Sequence, residues 1–337
     1  MRIAIIGANN YDTLEYNLKD AFAHNNYHCE IFDINNSKIF KNKIISKYTL
    51  QLDMQGRGFF DSYDQWIFDK VFRRVAEYQP DLVICTYRFI HPKFVSRVKK
   101  ELKCKIVHVN PDALTTFGHQ QVFASDYDVW FSKDPYIVSF MKGNLHLNAK
   151  YYSEAFNSRI HKRMEVDKKT LEDELNIDVV TYGNIYPYRS RMLKILLDNN
   201  INLKLYGVKS KRFYDNALDK AYQNKCILGE EKAKILYGSK IVFNQMHYAE
   251  IGSVNNRFFE ANGSGAFQLS DYRPILKDLL PIDPELVSFR TIDEGIEKIK
   301  YYLEHTDERI EIAGKVHNHF IQNYTYDHLI EFILKSI

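Results

Sequence analysis

The sequence predicts an α/β protein of two domains, each a parallel sheet with helices on both faces, the two facing each other across a cleft. Three observations predict it. The chain has 337 residues, long for one hydrophobic core and typical of two domains. Short apolar runs alternate with segments whose apolar residues recur at helical spacing, the pattern of βαβ units. The alternation occurs twice, and each series opens with a strand carrying a Gly at its end, Arg2–Gly7 and Asp178–Asn184.

The first series reads in order. "RIAIIG" is a buried parallel strand ending in Gly7, and Leu14, Leu18, Ala21 and Phe22 mark the next helix. "HCEIFDI" (His28–Ile34) is a second strand. Residues 35–62, with "QGRGFF" at 55–60, read as an irregular loop, and long loops in compact domains are often functional. A helix follows over 63–78, then strands "DLVICTY", "KIVHVN" and "DVWFS" with the helix "PKFVSRVKKEL" among them. Residues 147–175 are polar and break the rhythm, so they read as a connection. In the second series "DVVTYGN", "NLKLYG", "KIVFNQ" and "AFQLSD" are strands, with helices at "EEKAKILYGS" and "NRFFEANGSG". Three helices finish the chain, near 293–305, 307–323 and 327–335. The expected division is 1–150, a connection over 151–176, a second domain over 177–320 and a C-terminal helical segment over 321–337.

Composition narrows the function. Apolar residues make up 45% and charged residues 26%, as in soluble globular proteins. A net charge of +3 argues against a dedicated nucleic-acid binder. No apolar run approaches the ~18 residues a membrane-spanning helix needs, which leaves peripheral membrane contact open. The chain starts directly on a strand without a signal-peptide pattern, and its four scattered cysteines share no metal spacing. A reducing, cytoplasmic setting is expected.

The chemistry concentrates in the second series. The loop "YGNIYPYRSR" holds Gly183, Asn184 and Arg189 where a strand meets a helix N-terminus, a place that suits an anion. In "NNRFFEANGSGAFQLSD", Asn255 and Asn256 are helix-start residues. Arg257 and Glu260, three residues apart, share one helix face. Either they form an ion pair with each other, or Arg257 meets a phosphate and Glu260 a ribose diol. "DYD" (Asp126–Asp128) mimics an Asp-x-Asp metal motif but lies in the other domain, so no metal is expected. "GANNYD" (Gly7–Asp12) lacks the third Gly of a dinucleotide fingerprint, which argues against a nicotinamide cofactor. Its Asn9 and Tyr11 suit hydroxyl-rich substrates, and Arg88, Asp112 and His119 lie near or beyond later strand ends.

The run "LGEEKAKILYGSKIVFNQMH", the stretch "NNRFFEANGSGAFQLSD" and the C-terminal "YYLEHTDERIEIAGKVHNHFIQNYTY" resemble the spore-maturation (CgeB-type) glycosyltransferase-like family. The wider resemblance is to the two-Rossmann-domain (GT-B) nucleotide-sugar glycosyltransferases, and it covers roughly 178–337. It implies transfer of a sugar from a nucleoside-diphosphate sugar, a UDP-sugar favoured, to a glycan, protein or other hydroxyl acceptor, with neither metal nor further cofactor. It implies Glu260 on the donor ribose, Arg257, Gly183, Asn184 and Arg189 about the diphosphate, and the backbone around Leu228 at the nucleobase. Asn9, Tyr11 and Arg88 would then face the acceptor, with Asp112 and His119 as candidate bases for an inverting transfer. The last helix would pack back on the first domain. Retaining relatives often carry a second Glu eight residues before the ribose Glu. That position is Gly252 here, so the stereochemical outcome stays open. Two other readings share the scaffold: a nucleotide-sugar epimerase and a non-catalytic nucleotide-sugar-binding or assembly protein.

Overall fold

The computed structural model describes residues 1–37, 46–113 and 120–337, the side chains of 46–50 excepted. The chain divides into two compact units, Met1–Ser153 with Leu329–Ile337, and Glu154–His328.

Unit 1 is built on β1 (Arg2–Gly7), β2 (His28–Asp33), β3 (Leu82–Cys85), β4 (Lys105–Asn110), β5 (Val129–Ser132) and β6 (Ala149–Tyr151). They form a six-stranded sheet in the order β2-β1-β3-β4-β5-β6, each pair parallel. β3 and β5 are buried along their whole length, as strands covered on both faces must be. Its helices are α1 (Leu14–His24), α2 (Ser46–Phe59), α3 (Asp61–Tyr78), α4 (Pro92–Arg97, continued by a π-helical turn Val98–Leu102) and α5 (Pro135–Leu145). α3 sets Ile67, Phe68, Val71, Phe72 and Val75 against the sheet at helical spacing. The span over 35–62, expected to be irregular, contains α2, which ends within "QGRGFF" at Phe59. Two glycines and a polar face hid that helix from its residue pattern, because Gly lowers helix propensity.

Unit 2 holds β7 (Ile177–Ile185), β8 (Leu203–Lys209), β9 (Ser239–Asn244), β10 (Gln268–Asp271) and β11 (Ser288–Phe289). They order as β11-β10-β9-β7-β8, again all parallel. Its helices are α6 (Lys168–Leu175), α7 (Pro187–Asp198), α8 (Gly229–Tyr237), α9 (Asn256–Gly263), α10 (Leu276–Leu279), α11 (Ile292–Glu304) and α12 (Thr306–Asn323). α13 (Tyr326–Lys335) ends the chain, its residues from Leu329 on belonging to unit 1. β6 and α6 fall in the stretch whose polarity had suggested a bare connection. No described helix is long and apolar enough to cross a membrane.

Two features of unit 2 carry large energies. Gly207, at φ +128°, lies opposite Gly183 in the β7–β8 ladder. A Cβ there would stand 2.0 Å from the Gly183 carbonyl oxygen. Gly207→Ala is therefore expected to cost about 3 kcal/mol or more in urea unfolding, from backbone strain and overpacking together.

The second feature is a buried charge cluster. Arg309 donates to both carboxylate oxygens of Glu172, at 2.7 and 2.9 Å, and Lys168 Nζ lies 3.1 Å from the same carboxylate. Burial outweighs Glu172 and pushes the Lys168 ammonium down to about 8, from an ordinary value of 10.5. The folded chain then releases this proton near pH 8 while the unfolded chain holds it to about pH 10.5. The stability Lys168 contributes is full above that range and is lost as pH falls through 8. The unfolding free energy of wild type is expected to rise relative to Lys168→Met between pH 8 and 10. A flat difference across those titrations would contradict this account.

Candidate functional site

In open parallel sheets, ligands bind beyond the carboxyl ends of the strands where the strand order reverses. In unit 2 that point lies between β7 and β9, since β7 leads outward to β8 on one side and β9 leads to β10 on the other. The candidate residues converge there.

β7 runs past Gly183 and Asn184 to Ile185, so these two residues belong to the strand end rather than to the loop expected from sequence. Gly183 has φ +97°, and the atoms nearest a Cβ there would be Arg257 Cδ at 3.6 Å and Arg189 Nη1 at 3.7 Å. Pro187 starts α7 with its φ fixed, and no side chain caps the helix end. That leaves first-turn N–H groups at the positive end of the helix.

The two arginines differ. Arg189 is 2% exposed. Its Nε donates to Gln245 Oε1, Nη1 to the Asn184 carbonyl, and Nη2 to Thr181 Oγ1 and the Tyr182 carbonyl. The sequence placed Arg189 at the diphosphate. The structure turns it inward, where those bonds fix the end of β7, so it holds the site rather than reaching from it. Arg257 is half-buried on the first turn of α9, which Asn255 caps through the Phe258 N–H. Its Nη1 donates to the Tyr182 carbonyl at 2.8 Å and Nη2 to the Gln245 carbonyl at 2.7 Å, clamping β7 to β9. Its Nε and the outer hydrogens of both Nη atoms remain for another acceptor.

No carboxylate pairs with either arginine among the described residues. Burial drives the Arg189 guanidinium well below its usual range, and the Arg257 charge beside it adds to the fall. Two adjacent cations with no carboxylate in ion-pair contact among the described residues, Asp271 acting on Arg257 only at longer range, suit an added anion.

Glu260 does not pair with Arg257, which overturns the first of the two sequence alternatives. It is 4% exposed, one turn further along α9. Oε1 accepts from Lys232 Nζ at 2.7 Å and Asn256 Nδ2 at 2.9 Å, and Oε2 accepts from the Tyr182 hydroxyl at 3.0 Å. Asn256 therefore orients the carboxylate. Lys232, on α8, was missed by sequence reasoning although a signal existed: it shares a face with Ile235 and Leu236 at helical spacing. Leu228 precedes α8 as its N-cap residue, with its side chain about half exposed. After α9, Gly265 at φ +79° closes the helix: its N–H donates to the Asn262 carbonyl and the Ala266 N–H to the Ala261 carbonyl.

Unit 1 has its own reversal point between β1 and β3. The Asn9 N–H donates to Asp33 Oδ2, and Tyr11 is exposed beside Tyr16. Asp112 stands beyond β4 in a turn closed by the Asn110 side chain, 3.8 Å from Arg88, both side chains well exposed. His119 lies outside the described residues. Asp126 and Asp128 precede β5, at the opposite edge of the sheet, and pair with Lys99 and Lys105.

Residues 189–335 match the family model described as "Glycosyl transferase-like". No curated protein matches the chain. Among solved structures, HepE of Anabaena in complex with UDP and glucose is 13% identical, covers 100% of both chains and superposes with a TM-score of 0.67. A sucrose-phosphate synthase from Thermosynechococcus elongatus is 11% identical over 99% of this chain and 98% of its own, with a TM-score of 0.70. The lipopolysaccharide outer core galactosyltransferase WaaB is 14% identical over 100% of both, with a TM-score of 0.59. These neighbours share the GT-B fold. Residues 189–335 thus match a glycosyl transferase-like family model, and the chain has the two-Rossmann-domain GT-B fold.

Proposed function

We propose that the protein transfers a sugar from a UDP-sugar to a hydroxyl acceptor without a metal ion. The observation that carries this is the Arg257–Arg189 pair at the sheet's reversal point, two adjacent cations with no carboxylate in ion-pair contact among the described residues. In the proposed complex the diphosphate takes the free donors of Arg257 and the open N-terminus of α7. The uridine ribose hydroxyls take the remaining acceptor capacity of Glu260, while Arg189, Asn256 and Lys232 hold those groups in place. Complexes of the neighbouring HepE with UDP-glucose and with UDP and glucose support the donor class.

In the transfer step the bond between the anomeric carbon and the β-phosphate oxygen breaks, and its electron pair leaves with UDP. Arg257 stabilises the charge that develops there, the work a divalent ion does elsewhere. The acceptor oxygen bonds to the anomeric carbon and loses its proton. For an inverting transfer Asp112 is the proposed base. The acceptor is held by unit 1 and is a glycan, protein or other hydroxyl compound.

A thermal-shift screen of UDP, GDP, dTDP and CMP tests the donor class. UDP at a hundred times its dissociation constant should stabilise the protein by about 2.7 kcal/mol. No shift with any nucleotide would sink the proposal. UDP-sugar turned into an isomeric UDP-sugar, with no UDP released, would mark an epimerase instead.

A further inference from the structure

His247 stands just beyond the end of β9, at the same sheet edge as Arg257 and Arg189. Gln245, two residues before it, takes a hydrogen bond from each arginine: its carbonyl from Arg257 Nη2 and its Oε1 from Arg189 Nε. The imidazole lies against the start of α7. Its ring centroid is 6.5 Å from that of Tyr186, the N-cap residue, and 5.8 Å from that of Tyr188, and both rings meet it edge on. Tyr248 stacks on it at 4.5 Å. Burial raises the Tyr188 hydroxyl above its usual range. The Arg189 and Arg257 charges come next and oppose that rise, while Asp271 and then Glu250 act less strongly in its favour. His247 therefore borders the two arginines and the open end of α7, the groups assigned above to the diphosphate.

The backbone around the ring is fixed. The Met246 N–H donates to Asp271 Oδ2 at 2.6 Å, the Tyr188 hydroxyl to the Met246 carbonyl at 3.4 Å, and the Glu250 N–H to the His247 carbonyl at 2.9 Å. The Ala249 N–H donates to His247 Nδ1 at 3.2 Å. A ring nitrogen that accepts carries no proton, so this bond assigns the imidazole hydrogen to Nε2. Nε2 donates to nothing among the described residues and keeps access to solvent, on a ring that is itself half-buried. Because the ring is already oriented, a ligand acceptor at Nε2 costs little further ordering.

We infer that His247 is a further catalytic residue of the transferase proposed above, its Nε2–H donating to an oxygen of the donor's β-phosphate. The order of groups along the sheet edge selects that phosphate. Glu260, taken by the ribose, lies one turn beyond Arg257 on α9 and accepts from the Tyr182 hydroxyl. Arg257 comes next, on the Tyr182 and Gln245 carbonyls, and His247 follows, beside α7. A nucleotide laid from Glu260 past Arg257 reaches His247 with the phosphate farther from its ribose. When the bond between the anomeric carbon and the β-phosphate oxygen breaks, its electron pair stays on that phosphate. The Nε2–H bond strengthens as the charge grows, and the imidazole gives up no proton. This role rests on the UDP-sugar reading.

The test is calorimetric titration of the full chain with UDP and, separately, with UMP. Wild type, His247→Asn, His247→Gln and Arg257→Met are compared. The Asn amide oxygen can keep the Ala249 N–H bond, as in an Asx turn, but the shorter side chain puts no donor where Nε2 was. The Gln amide nitrogen extends to that position. The expected result is UDP affinity about tenfold or more weaker in His247→Asn, for one lost hydrogen bond to a charged group, with UMP affinity unchanged. His247→Gln should regain part of the UDP affinity. If His247→Asn fails to fold, His247→Phe, which keeps a ring between the tyrosines, carries the same comparison. UDP binding that His247→Asn leaves unaltered, or UMP binding weakened as much as UDP binding, overturns the inference. UDP affinity lost in Arg257→Met and kept in His247→Asn removes only the role of His247. A wild-type chain that binds neither nucleotide overturns the donor reading, and this role with it.

Discussion

Arg257→Met is expected to weaken UDP binding by about a hundredfold or more, because a half-buried guanidinium gives a diphosphate at least two charge-assisted hydrogen bonds of roughly 1.5–3 kcal/mol each. The same side chain also ties the Tyr182 carbonyl to the Gln245 carbonyl. The variant should therefore lose some stability as well, on the order of 1 kcal/mol, since the Tyr182 carbonyl keeps Arg189 Nη2 and the Gln245 carbonyl keeps Asn255 Nδ2 as donors. Calorimetric titration with UDP, read beside thermal unfolding of the free protein, separates the two effects. Arg257→Lys keeps the charge but not the fork, so it should recover only part of the affinity. If UDP binds Arg257→Met as it binds wild type, Arg257 is a strand clamp and nothing more.

Lys232→Met is expected to destabilise the protein by about 3–5 kcal/mol, since it leaves the Glu260 carboxylate buried and uncompensated. Combining it with Glu260→Gln should restore most of that loss, because the pair is then neutral and the Asn256 and Tyr182 hydrogen bonds can persist. The double variant also isolates the other role of Glu260. A stable protein that binds UDP weakly would mean that the carboxylate works on the ribose. A stable double variant with wild-type UDP affinity would make Glu260 and Lys232 purely structural. Urea unfolding and UDP titration of the three variants decide between these.

Much of this architecture was legible in the chain. The strands of both series fall close to where apolar runs placed them, from Arg2–Gly7 to Gln268–Asp271, and so do the three final helices. A strand buried on both faces has to be apolar throughout, and that property is local. The cap of α9 was legible for the same reason, as Asn255 acts on a backbone group within a few residues of itself. α2 was not: two glycines and a polar surface weaken the helical signal, and packing against α3 supplies the rest.

The candidate site divides along the same line. The sequence by itself determined that Gly183, Arg189, Arg257 and Glu260 would lie at strand ends and helix starts, because that position follows from local alternation. It could not determine which charges meet. Spacing left Arg257 free to pair with Glu260. Only the tertiary structure set Lys232, from another helix, against Glu260, turned Arg189 inward to hold the end of β7, and left Arg257 with open donors. Ion pairing depends on distances of a few ångströms between elements far apart in the chain, and the order β11-β10-β9-β7-β8 is what brings those elements together.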